Sequence, residues 1–510
     1  MIFPRFLTAL LCTPFLHAAD QPQWGQAWTR NMVSDEKGLP DSFDLETGRN
    51  IKWIAPLGTH THSTPIVAGG RIYIGTNNGV PRDPAQTGDR GVLLCLDEKD
   101  GHLLWQLTVP KRDEDKYFDW PEEGMSSPAT VDDDRVYIVT NRAEVLCLDA
   151  LGMANGNDGP FLEEAAHGTP HSAPPPDFLP ALAPGGEREP GPLDADIVWM
   201  SDMPSAAGVW PHDGAHSSIL VHGDFLYVNT STGVDNSHKV IRTPNAPSLI
   251  VIEKKTGRWV ARDDEHIAPN IFHATWSSPS LGKAGGRDAI FFCGGDGIVR
   301  AFEPLAKSPP AGEVAKLKTI WHFDPDPESP KDDPHRFLNN RQQGPSNIYG
   351  MPVVIGERLL VAGGGDVFWG KNEAWLKCIA TAGEGDITSN ATVWSYPLDR
   401  HTLSTPAFAG GLVFTADTSR HIHCVDAANG KPVWVQDTTG DFWSSPLVAD
   451  GKLFIGSRKG DFWIMAASRE KKVLATIDFK KPISATATAA NGVLYVATMS
   501  QLYAIANGGK

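Results

Sequence analysis

Two tryptophans, a tyrosine and two histidines of this 510-residue chain share one recurring position, just ahead of a Ser/Thr-rich step that usually ends in proline. In chain order the position reads His62, Met125, His216, Trp276, Tyr349, Leu403, Trp443 and Ile483. Trp276 and Trp443 offer planar apolar faces, which suit stacking on a flat ligand. Arg142, Arg420, Arg458 and Lys459 follow strand-like runs elsewhere in the repeat. Arginine pairs two-pronged with carboxylates, so this set would hold an anionic flat ligand. The candidate binding set is therefore Trp276, Trp443, His62, His216, Tyr349, Arg142, Arg420 and Arg458. A second chemistry is metal ligation. His60 and His62 stand two apart, a workable spacing for paired imidazoles, and His216, His273 or His401 would supply a third. Asp213, Asn347, Asp366 and Asp441 are the oxygen donors available to calcium. No residue is assigned as a catalytic base. There is no Ser/His/Asp signature, phosphate loop or paired zinc-cysteine motif; GGDG at 294–297 and GGGD at 363–366 read as turns.

A repeat positions these residues. Ser63-Thr64-Pro65 precedes RIYIGT, Ser126-Ser127-Pro128 precedes RVYIVT, and Ser217-Ser218 precedes DFLYVNT. The phrase returns at Ser277-Ser278-Pro279, Gly350-Met351-Pro352, Ser404-Thr405-Pro406, Ser444-Ser445-Pro446 and Ser484, making eight units. The last three start at 404, 444 and 484, within the roughly 40–45 residues of a four-stranded propeller blade. Strand A follows the step, strand B is the alternating run, and strand C reads VLLCLD, EVLCLD, LIVIE or IHCVD. Strand D often follows a glycine turn and carries a tryptophan, as in Asp97…Gly101…Trp105 and Asp426…Gly430…Trp434. These tryptophans are expected between blades.

The eighth unit ends after LYAIA without its strand D. Residues 50–56, NIKWIAP with Trp53, supply the missing strand, so the expected fold is all-β: a closed eight-bladed propeller of four-stranded antiparallel blades, its N-terminal strand completing the last blade. Strand A starts at the top of such a ring, which places the eight aligned side chains around the mouth of a central funnel. Long loops 81–91, 234–248, 324–349 and 366–374 fall on the same face. The Pro-rich insertion 151–195 and the loop 303–318 fall on the other, the first lacking the apolar content to pack.

The formal charge of −16 makes nucleic acid or an anionic membrane an unsuitable partner. No apolar run after residue 20 reaches membrane-spanning length. Residues 1–19, with Arg5 before FLTALLCTPFL and Ala18-Ala19 after it, read as a secretory signal, leaving 20–510 as one propeller that is periplasmic or secreted. Cys12 lacks a small residue before it, so simple export is expected rather than a lipid anchor. Cys95, Cys147, Cys378 and Cys424 take matching places in different blades and are expected as buried small hydrophobes. His421 and His423 share one face of a strand and are expected to pack between blades.

The Ser-Ser-Pro, strand, Cys-Leu-Asp…Gly…Trp pattern resembles the pyrroloquinoline-quinone-like propeller repeat over nearly all of the mature chain. The resemblance points to two branches, quinoprotein alcohol dehydrogenases with quinone and calcium in the funnel, and BamB-like assembly factors without a cofactor. Against the dehydrogenases, no two cysteines are adjacent and there is no CxxCH haem site. Against a plain assembly factor, the top loops are long and rich in His and Trp. The reading adopted is an exported ligand- or protein-binding scaffold acting through its top face, with a small ligand or a protein as partner. The alternative is a quinoprotein oxidoreductase using pyrroloquinoline quinone with Ca2+.

Overall fold

A computed structural model describes residues 19–112, 118–169, 188–214 and 216–509. The expected signal segment, but for Ala19, and the central part of the Pro-rich insertion lie outside the described residues. Blade 1 is an antiparallel meander of Ile66–Ala68, Arg71–Asn77, Arg90–Asp97 and Leu103–Pro110. Near-continuous apolar runs leave strands B and C buried on both faces, as layers between stacked blades must be. The same order repeats in blades spanning 130–202, 220–262, 280–323, 353–398, 407–437 and 447–478. The eighth sheet takes Thr488–Ala490, Val493–Ala497 and Gln501–Ile505 from the C-terminus and Ile51–Pro56 from the N-terminus. Ile51 faces Ile505 and Pro56 faces Gln501, so the ring closes as the spare strand required.

Tryptophans clamp blade to blade. The indole N–H groups of Trp53, Trp105, Trp199, Trp321, Trp394 and Trp434 donate to the carbonyls of Glu98, Ala150, Lys254, Thr381, Ala427 and Ser468, each just past strand C of the next blade. Gly257 lies against Trp199 at φ +73°, where a Cβ would come within 2.4 Å of the ring. Only glycine fits both the backbone and the space. His423 is buried between the Tyr396 hydroxyl, at 3.1 Å, and Asp417, also at 3.1 Å. All five described cysteines are buried thiols without a disulfide.

Two features depart from the expected layout. The described arms of the 151–195 insertion run along the outside of blade 1 instead of standing below it: Gln106 bridges to Asp194, and His167 of a short helix, Glu164–His167, meets Glu144. The segment before the first blade is also structural. Residues 20–36 cross the lower end of the central channel and bond to the inner strand, or its flanking turn, in every blade. Gln21 exchanges two hydrogen bonds with Val67, and Val131 N–H donates to Pro22. Leu281, Val354 and Val448 N–H groups donate to Trp28, Thr29 and Met32. Asn31 Nδ2 donates to Phe408, and Ser34 Oγ to Ala489. Arg30, fully buried, donates to Ser218 O, Ser218 Oγ, Pro279 O and Trp24 O. Eight inner strands leave unpaired edges around an axial hole, and this plug satisfies them.

Candidate functional site: a plugged aromatic funnel

The plug makes the funnel blind from below, and Trp24 joins its lining. Above it is a cavity of about 420 Å³, the size of a small-molecule site. His62, His216, Trp276, Tyr349, Leu403 and Trp443 line it, so the residues ahead of the Ser/Thr-Pro steps do converge. Strand A runs from the mouth down to the plug, and each of these side chains stands four residues ahead of its first residue, at the mouth. Top loops add Trp120, Glu123, Asp213, His238, His273, Phe368 and Trp369.

The aromatic wall is nearly continuous. Trp276 lies 4.8 Å from Tyr349 and 4.9 Å from His216, centroid to centroid. Phe368 meets Trp443 edge-on at 6.0 Å, and His62 stands 6.0 Å from the same indole. Arg458 stacks on Trp443, its guanidinium carbon 3.9 Å from the ring centroid, which fixes that wall.

Two carboxylates and four histidines set the electrostatics of the cavity. His62 Nε2 pairs with Glu123 at 2.7 Å. Burial would raise the Glu123 carboxyl, but His62 and the neighbouring His216 and His60 outweigh it and hold the group at about 2. Burial pushes Asp213 up to about 6, helped by Glu123 and Asp366 and opposed by His273. His216 is lowered to about 4 by burial and then by His62. Asp366 is fully buried and accepts from Tyr349 Oη and, at 3.1 Å, from His273 Nδ1. Burial works against the Asp366 charge, yet His273 and the Tyr349 hydroxyl keep the carboxyl below its ordinary range.

Other sequence candidates lie elsewhere. Arg142 is tied to Glu144 at 3.2 Å, outside the lining. Arg420 and His401 flank a separate open depression with Arg341 and Arg400. His60 bonds Thr59 and Asn77, and His401 Nε2 meets the Lys371 carbonyl at 2.7 Å. His60, His62 and His401 thus each have their own partners and do not come together. Of the calcium candidates, Asp213 lines the cavity and Asp366 lies just behind its wall, Asn347 is spent on the Ala274 carbonyl and the Ile348 N–H, and Asp441 is outside the lining. Sequence reasoning missed Trp24, Glu123, His212 and His238. Glu123 stands two ahead of Met125, the offset that His60, His401 and Asp441 hold in their blades, whereas Trp24, His212 and His238 lie in the plug or in loops at no such offset.

Eight four-stranded blades with this step and these interblade tryptophans make a closed eight-bladed β-propeller. A sequence model of the family described as outer membrane protein assembly factor BamB matches residues 89–152 and 382–480, parts of blades 1 and 2 and of blades 5 to 7. Among solved structures, a europium-containing methanol dehydrogenase aligns at 12% identity and TM-score 0.57, covering 96% of this chain and 98% of that one. At that identity the likeness is one of fold. BamB from Moraxella catarrhalis aligns at 11% identity and TM-score 0.49, covering 88% and 94% of the two chains. The quinohemoprotein alcohol dehydrogenase from Comamonas testosteroni aligns at 14% and 0.46, covering 97% and 82%. No curated protein matches the chain. Among the described residues, no helix is long and apolar enough to cross a membrane.

Proposed function

We propose that this chain is an exported binding protein that captures a compact, flat-faced ligand of zero or positive charge in its top funnel. The observation that carries this is the blind cavity itself, walled by Trp276, Trp443 and Tyr349 and edged by Glu123 and Asp213. Stacking supplies contact area, and the carboxylates favour donors or a cation. Export rests on the N-terminal signal reading.

Pyrroloquinoline quinone fits these residues poorly. It carries three carboxylates, whereas the cavity lining has two acidic side chains and no lysine or arginine. Of the expected cations only Arg458 touches a lining ring, and its guanidinium is stacked on Trp443. Like charges at short range in a partly buried site oppose binding. We therefore derive no redox step. The match to the assembly-factor family favours a second reading, in which the rim loops dock a protein. In that reading single changes inside the cavity leave partner binding intact.

Thermal unfolding with a panel of flat ligands of graded charge separates the readings. Stabilisation by neutral or cationic members, lost in Trp443→Ala, supports the funnel. Stabilisation by pyrroloquinoline quinone, or by no member, overturns it.

A further inference from the structure

We propose that His212, His238 and His273 bind a divalent transition-metal ion, zinc by ligand chemistry, in the funnel wall, with Asp213 beside the site. The site shares His238, His273 and Asp213 with the cavity lining, but the assignment rests on the mutual geometry of the histidines and not on the ligand reading above. One ring nitrogen from each of the three histidines lies within 4.8 Å of the others. Ring centroids are 4.6 Å apart for His212 and His273, 4.9 Å for His212 and His238, and 5.4 Å for His238 and His273. Tetrahedral zinc at about 2.0–2.1 Å spaces its donors roughly 3.3 Å apart, so the rings close by at most ~1.5 Å. Asp213 is adjacent, with Oδ2 3.4 Å from His212 Nε2 and 3.9 Å from His273 Nε2.

Three further observations point to a ligand. First, His212 is fully buried and neither ring nitrogen makes a well-formed hydrogen bond, Nε2 reaching Asp213 only at 3.4 Å and the ring facing the Val234 backbone; His273 Nε2 has only the distant Asp213 carboxylate, and Asp213 Oδ1 makes no hydrogen bond. Such groups are costly to bury unless something binds them. Second, the other nitrogen of His273 faces Asp366, which is itself held by Tyr349 and by the N–H groups of Phe368 and Trp369. A carboxylate on Nδ1–H sets the tautomer and leaves the Nε2 lone pair for a metal. Third, the loops are pinned together. Pro211 bridges to Thr232 and Gly233 to Ala274, and a Cβ on Gly233 would meet His212 at 2.7 Å.

His238, His273 and Asp213 line the cavity while His212 lies behind them, so an open coordination position would face the funnel. A three-histidine site with an open position is a catalytic-type arrangement. An entering ligand would fill it with a hydroxyl or carbonyl oxygen.

The test uses the chelator-stripped, purified protein, titrated with zinc chloride by calorimetry and with cobalt(II) by visible absorption. One site per chain is expected, with the intense visible bands of low-coordinate cobalt. His273→Ala and His238→Ala should each weaken binding at least 100-fold, and His401→Ala should leave it unchanged. His238 is the most exposed of the three, so its variant keeps the test informative if a buried one fails to fold. Asp366→Asn retains every ligand and should weaken binding 10–100-fold. Absence of stoichiometric binding by zinc, cobalt or manganese, or binding unaltered in His238→Ala and His273→Ala, overturns the assignment.

Discussion

Arg30→Met should open the plug while leaving the blades folded. Methionine keeps most of the stem volume, so the change isolates the polar contribution. Four hydrogen bonds are lost, two to Ser218 and one each to Pro279 and Trp24. Bonds from a charged donor contribute about 1.5–3 kcal/mol each, or roughly 6–12 in total. Against this stands the cost of burying the guanidinium, which pushes its pKa down to about 9. That shift is about 3.5 units at 1.36 kcal/mol per unit, close to 5 kcal/mol. The difference is about 1–7 kcal/mol, and we take ~3–4. These bonds break when the plug leaves, so its opening equilibrium should rise by a factor of roughly 10²–10³. Hydrogen exchange followed by mass spectrometry reads this in peptides covering 20–34 and in the paired strand at Val67. Acceleration below tenfold there, or equal acceleration across all eight blades, would refute the reasoning.

Three further outcomes follow from the same structure. Glu144, only 1% exposed, feels burial raising its pKa, but His167, Arg142 and Thr140 more than offset this and hold it at about 2. Its folded pKa is depressed, so its contribution is present above the ordinary value of 4.5 and is lost as pH falls from there toward 2. The stability difference between wild type and Glu144→Gln by urea unfolding, about 3 kcal/mol with His167 protonated, should shrink through that window. Gly257→Ala should cost at least ~2 kcal/mol, from the positive φ and the Trp199 contact, whereas Gly286→Ala, at φ +81° with nothing within 4 Å, should cost only about 1. Burial raises Cys147, Cys293, Cys378 and Cys424 to about 12, 12, 11 and 12, so a thiol reagent should label none of them before unfolding.

The blades were legible because each states its own pattern. The step, the period-2 run and the glycine-turn tryptophan recur, and Trp53 advertised the strand missing at the C-terminus. The mouth positions were legible for the same reason: a fixed offset in sequence becomes a fixed height on the axis. The plug was not legible, because Gln21, Trp24 and Arg30 form no repeat and acquire meaning only once eight edges surround a hole. His212 and His238 were hidden similarly. They sit five before Ser217 and in the 234–248 loop, and only the bridges through Thr232 and Gly233 bring them to His273. The cation set was misjudged since a position above a strand B does not say which way a long side chain turns. Arg142 turned to Glu144.

The central claim is that the funnel selects by shape and sign of charge. The most direct measurement is a tryptophan-fluorescence titration of the full chain with two planar ligands of equal size, N-methylquinolinium and quinoline-2-carboxylate, beside pyrroloquinoline quinone. The account predicts saturable quenching by the cation, lost in Trp443→Ala and weakened by salt, with no saturation by either anion. Saturable binding of pyrroloquinoline quinone, or equal binding of cation and anion, would contradict it.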